Sequence, residues 1–154
     1  MAVNIRFPDG TVRPLYDVKP NAYNRGELLE IIYEMLNEAV KSEIDVFRNK
    51  NPKPVNSITY PYMTFEVDNA KVDDNEHGTM VAVDCELFDR GTTSDMIDKY
   101  TDMLNNELDH KRHSYEDYWV KTELERDRDI PDETDKELLR RMVALTFYIE
   151  RNDS

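Results

Sequence analysis

Between Tyr60 and Arg90 two runs place apolar side chains at every second position. Met63, Phe65 and Val67 are interleaved with Tyr62, Thr64 and Glu66, and Val81, Val83, Cys85 and Leu87 with Met80, Ala82, Asp84 and Glu86. This alternation puts one set of side chains on one face, the mark of a half-buried strand. The stretch between them, from Asp68 to Gly78, carries Asp68, Asp73, Asp74, Asn75, Glu76 and His77. It is too polar to bury and too long for a two-residue turn. A long hairpin with an extended, exposed loop is expected, and other elements must cover its apolar face.

Two helices are placed to do so. Asn24 is a candidate N-cap with Glu27 completing a capping box. Leu28, Ile31, Ile32, Met35, Ala39 and Val40 then recur at helical spacing, with Leu29, Leu36 and Ile44 widening the stripe and Glu30, Glu34, Glu38 and Lys41 opposite. The period predicts a helix to about Phe47, roughly 33 Å long, stopped by Pro52 and Pro54. After Gly91, Thr92, Thr93 and Ser94 offer caps for a second helix through Met96, Ile97, Tyr100, Met103, Leu104 and Leu108. In the simplest packing it lies over the same sheet face as the first.

Asp109 to Pro131 reads three ways: a continued helix, a separate short helix or a docking surface. Its Tyr115, Tyr118 and Trp119 are candidate interface aromatics in a charged background. Lys136 to Arg141 reads as one helical turn. Leu145, Phe147 and Ile149 then alternate with Ala144, Thr146 and Tyr148, a third strand that reaches the hairpin by crossing back over the second helix. Residues 1–23 form an extended arm with a turn at Pro8-Asp9-Gly10, and such an arm frays unless something, such as a neighbouring subunit, holds it. The expected fold class is α+β: a single domain over residues 24–154, mostly antiparallel, with two main helices on one face and a variable charged stretch at 109–131.

Charge narrows the function. In 154 residues, 33 acidic side chains against 20 basic ones give a net charge of −13. A domain of this length hides roughly 70% of its unfolded surface, enough for a core without staples. Duplex binding draws most of its affinity from neutralised phosphates, and this field opposes it. Lys111-Arg112 is a local basic spot. Cys85 is the single cysteine, so no intrachain disulfide forms, and its strand position marks it as a small buried residue. No apolar run is long enough for a membrane span and no leader pattern opens the chain, so a soluble protein made in a cytoplasm is expected.

Catalytic signatures are not found, and no catalytic residue, metal site or cofactor is assigned. Gly10, Gly26, Gly78 and Gly91 are scattered and open no phosphate loop. His110 and His113 with Asp109 lack a second ligand pair, and the acidic loop does not follow calcium-loop spacing. With Asp84 the loop sketches a two-metal nuclease site, but the charge balance denies it a basic substrate surface.

The order of parts resembles the tail terminator, or tail-to-head joining, proteins of long-tailed bacteriophages. The likeness rests on an amphipathic helix leading through a Pro-containing connection into Tyr60-Pro61-Tyr62 and a strand. An acidic loop, a strand from Val81 to Phe88 closing on Asp89, and a Thr/Ser-capped helix with Asp95, Ile97 and Leu104 follow. An acidic segment, Asp132 to Arg141, then runs into the terminal strand. It spans about residues 24–151. The arm and the charged stretch at 109–131 depart from the compact version of the family.

The resemblance implies a structural virion protein with no enzymatic activity. Such proteins form a homo-oligomeric, hexameric ring that caps the tail tube, ends its polymerisation and docks to the head-to-tail connector or stopper protein. They sit at the head-proximal end of the tail, assembled in the host cytoplasm. DNA passes through the lumen without specific binding, which suits carboxylate lining. The loop residues Asp68, Asp73, Asp74, Asn75, Glu76 and His77 become candidates for axial contact. Two other readings stand beside it: another neck or head-completion protein of the connector, and an acidic inhibitor that mimics DNA.

Overall fold

The alternating runs do form a hairpin, and it is longer than their period shows. The computed structural model describes residues 4–6, 12–14, 25–72, 78–115 and 118–151. Two short strands, β1 (Asn4–Arg6) and β2 (Val12–Pro14), pair antiparallel with each other. Then come α1 (Arg25–Ala39), β3 (Asp45–Arg48), β4 (Tyr62–Val72) and β5 (Gly78–Arg90). The chain continues through α2 (Asp95–Leu108), β6 (Lys111–Tyr115), β7 (Tyr118–Asp129) and β8 (Leu138–Arg151). The main sheet runs β3-β4-β5-β8-β7-β6, with β3 parallel to β4 and all other pairs antiparallel. The α+β class stands as expected: two helices pack on one face of a mostly antiparallel sheet.

One core joins the layers. From the sheet come Met63, Phe65, Val81, Val83, Cys85, Leu87, Val120, Val143, Leu145, Phe147 and Ile149. The helices answer with Leu28, Ile31, Ile32, Met35 and Leu36 of α1, and Ile97, Tyr100, Leu104 and Leu108 of α2. Leu145 and Phe147 are inward and their neighbours Ala144, Thr146 and Tyr148 outward, so the period of two places the core correctly.

Several expectations need correction. The first helix ends at Ala39, not near Phe47. Ser42 N–H donates to the Asn37 carbonyl and Lys41 N–H to that of Glu38, at 2.9 Å each. Lys41 holds φ 55° between them. That is a Schellman stop with lysine where glycine is usual, so no glycine announces it. Val40 and Ile44 stay buried through the turn, which is why they kept the helical period without being helical.

Asp109 to Pro131 is neither a continued helix nor a separate short one but chiefly the hairpin β6–β7. Leu138 to Arg141 opens β8 instead of forming a helical turn. The last strand also does not cross back over α2. It follows β7 through a short connection and inserts between β7 and β5. Asp68 belongs to β4, where the register slips between Val67 and Asn69, so the loop is shorter than its polarity suggested.

Candidate functional site

Each strand of the sheet turns one set of side chains toward the helices and the other outward. The outward face is where unabsorbed chemistry collects. At one end of it, the Tyr62 and Phe88 rings stack at 4.7 Å, with Tyr60 5.5 Å and Phe47 6.2 Å from Tyr62. Lys53, Arg90 and Arg140 lie over Phe47, Tyr60 and Phe88 at 5.9, 5.7 and 5.6 Å. Every one of these cations has its own acid: Asp45, Asp135 and Glu86 respectively. Burial first, then the neighbouring Tyr60 and Glu86, push the Tyr62 phenol pKa up. The cluster is self-satisfied, and it fastens the connection from Asn49 to Pro61 onto the sheet.

At the other end of the outward face the surface is open. Trp119 is 50% exposed and Met80 49%. Met80 pairs across strands with Tyr148, and Tyr148 with Lys121. A Cβ on Gly78 would collide with the Tyr148 hydroxyl, so Tyr148 occupies the space that glycine leaves. On β6, Arg112 lies opposite Lys121 and Ser114 opposite Trp119.

The aromatics singled out from sequence therefore separate. Trp119 joins the outward face, while Tyr118 faces the core and donates its hydroxyl hydrogen to Glu27 Oε2 at 2.8 Å, tying β7 to α1. The side chain of Tyr115 lies outside the described residues. Of the loop candidates, Asp68 is exposed at the β4 bulge, and Asp73, Asp74, Asn75, Glu76 and His77 lie outside the described residues. Asn24 does too. Ser94 caps α2 through its backbone carbonyl, which accepts from Asp98 N–H at 2.8 Å.

Cys85 is fully buried, and that burial, with Asp84 adding to it, pushes the thiol far above its ordinary pKa. His110 sits in the turn after α2 and His113 on β6. Among the described residues no three of His, Cys, Asp or Glu are grouped to hold a metal. No helix among them is long and apolar enough to cross a membrane.

The far end of β7 holds a cavity that the sequence did not point to. About 330 Å³ lies between the start of α2 and the β7–β8 connection, with Ile97, Ile130, Pro131, Leu138 and Leu139 supplying the apolar lining. Asp129, Asp132, Lys136 and Arg140 reach its walls. The Asp132 carboxylate accepts from the Thr134 hydroxyl and from the amides of Thr134 and Asp135. These bonds, the Thr134 side chain foremost, hold its pKa below the usual carboxylate value. Arg141 spans from β8 to Asp129 and to Asp98 of α2, at 2.7 Å each.

No family model matches this chain, and no curated protein does. Among solved structures it is similar to a chain of the virion of a native gene transfer agent (GTA) particle. The match has a TM-score of 0.56 and 12% identity, covering 77% of this chain and 91% of that one. At that identity the likeness is one of fold.

Proposed function

We propose that this chain is a structural subunit of a phage-type virion, and within it a tail terminator. In this role it closes into a ring on the head-proximal end of the tail tube. The observation that carries the reading is the shared fold with a chain of a gene transfer agent virion over 91% of that chain's length. The order of helix, hairpin, helix and returning strand, which resembles the tail terminators, supports the finer assignment.

In this role residues 24–154 are the assembling domain and 1–23 an arm toward a neighbour. Asp68 and the segment Asp73, Asp74, Asn75, Glu76 and His77 contact the tube protein or the connector axially. The acidic balance keeps DNA from adhering as it passes. The subunit performs no reaction and holds no cofactor; its work is positional.

Electron microscopy of the purified chain, alone and mixed with tails lacking their terminator, tests this. Rings of uniform diameter that cap tails and arrest tube growth are the expected outcome. Rings that bind filled capsids and ignore tails would reassign the chain to the neck. Competition with DNA for a basic enzyme, with no ring in any mixture, would replace the reading by that of an acidic inhibitor. Deletion of Val72 to His77 should abolish joining while leaving the fold intact by circular dichroism.

A further inference from the structure

Two unlike surfaces lie at opposite ends of β7, on the order of 35 Å apart along the strand. At its start, Met80, Tyr148 and Trp119 give an exposed corner flanked by Arg112 and Lys121, with the exposed Glu150 opposite Trp119 as its one acid on β8. Arg112 and Lys121 stand directly opposite each other on adjacent strands, an arrangement of like charges that costs stability in the lone subunit. Lys121 reaches Glu123 of its own strand at 3.9 Å, whereas Arg112, in a chain of net charge −13, has no ion pair with any described residue. At the far end of the strand is the apolar cavity of about 330 Å³. The connection beside it carries Asp129, Asp132, Glu133, Asp135 and Glu137 against Lys136 alone. Asp129 and Asp135 are taken up by Arg141 and Arg90, whereas Glu133 and Glu137 are exposed and have no ion pair with a described residue.

We infer that these two surfaces are the two halves of one subunit contact, with the occupant of each being a second copy of this chain. The Trp119 corner of one subunit seats at the cavity of the next, and its Arg112 and Lys121 meet Glu133 and Glu137. Aromatic and arginine side chains are the residues that dominate interface energetics, and a concave apolar site lets an indole be fully desolvated. Opposite charge around the rim sets the register and rejects the reverse orientation. Because the patches differ and lie at opposite ends, the contact is head-to-tail. Such a contact closes into a ring if the rotation per step permits, and otherwise extends as a filament. The inference rests on the ring reading above and adds which surfaces make it.

Charge exchange tests it on the full chain, with sedimentation velocity over a range of concentrations and circular dichroism as a check on folding. Arg112→Glu with Lys121→Glu, or Glu133→Lys with Glu137→Lys, should each weaken assembly at least tenfold, as should Trp119→Ala. All four charge changes on one chain should restore it, and so should mixing the two reversed variants, whose copies then alternate. Rescue of this kind cannot come from a damaged fold. A wild-type chain that stays monomeric at every concentration, alone and with tails, removes the ring reading and this contact with it. Wild-type rings that survive either single reversal, or a fourfold variant no better than the twofold ones, overturn this contact alone. Intact variant rings that no longer cap tails likewise remove it, by assigning the surface to the tube.

Discussion

Replacing Arg141 by methionine should cost about 1–2 kcal/mol, through a mechanism the geometry makes explicit. Arg141 is an inward-facing residue of β8, and its side chain is only 12% exposed. Burial by itself lowers its pKa, but hydrogen bonds to Asp129 and Asp98 outweigh that and hold the guanidinium above its ordinary value. It is therefore charged under any working condition. It donates to Asp98 and Asp129 at 2.7 Å and to the Thr101 hydroxyl at 3.3 Å, linking the first turns of α2 to β7 and β8.

Hydrogen bonds to charged groups contribute about 1.5–3 kcal/mol when desolvated. Here the acids are 55% and 72% exposed and regain water when the cation goes, which brings each contact toward the surface range of about 0–1 kcal/mol. Methionine keeps much of the stem packing, so the sum is small but measurable, a Tm decrease of about 2–8 °C. Urea titration followed by far-UV circular dichroism is the assay. Asp98→Asn and Asp129→Asn should each cost less than Arg141→Met, because one partner remains, and the gap should narrow near 1 M salt. An Arg141→Met loss under about 0.3 kcal/mol, or Asp98→Asn costing more than Arg141→Met, would refute the reasoning.

Three further outcomes follow from local geometry. Lys41→Gly should stabilise by about 0.5–1 kcal/mol in the same titration, since lysine holds a left-handed conformation there that glycine adopts without steric cost. Cys85 should resist a water-soluble disulfide reagent in the folded chain and react once unfolded in urea; rapid labelling without denaturant would contradict its burial. Asp132→Asn should be destabilising at neutral pH. Because folding depresses this carboxyl, its contribution is present above the ordinary value of 3.8 and is lost as pH falls through the lower folded value, so mutant and wild type should converge there in acid titrations.

Where apolar and polar residues alternate without interruption, the fold was legible. Val81 to Leu87 and Leu145 to Ile149 needed only the geometry of the pleat. The β6–β7 hairpin is masked in the sequence, although Tyr118, Val120, Thr122 and Leu124 do alternate inward. The signal stops there, because Glu125 to Asp129 are all exposed, and a register slip between Leu124 and Arg126 breaks the period. The opening of β8 was hidden differently: Leu138-Leu139-Arg140-Arg141 has no alternation, and Arg141 faces inward only because Asp98 and Asp129 come from distant segments to meet it. Tyr118 and Trp119 part because consecutive strand residues point to opposite faces. The cavity at the far end of β7 joins α2 to the β7–β8 connection, a proximity no local pattern carries.

The strand order also sets a timetable for synthesis. β8 is the last strand of the sheet to leave the ribosome, yet it lies in the interior of the sheet, between β5 and β7. Until it arrives, β5 keeps one bare edge and the β6–β7 hairpin has no neighbour in the sheet. A nascent chain halted before Leu138 therefore displays two unsatisfied strand edges, the template on which chains stick to one another. Losing β3 or β6 trims a rim, whereas losing β8 cuts the sheet in two.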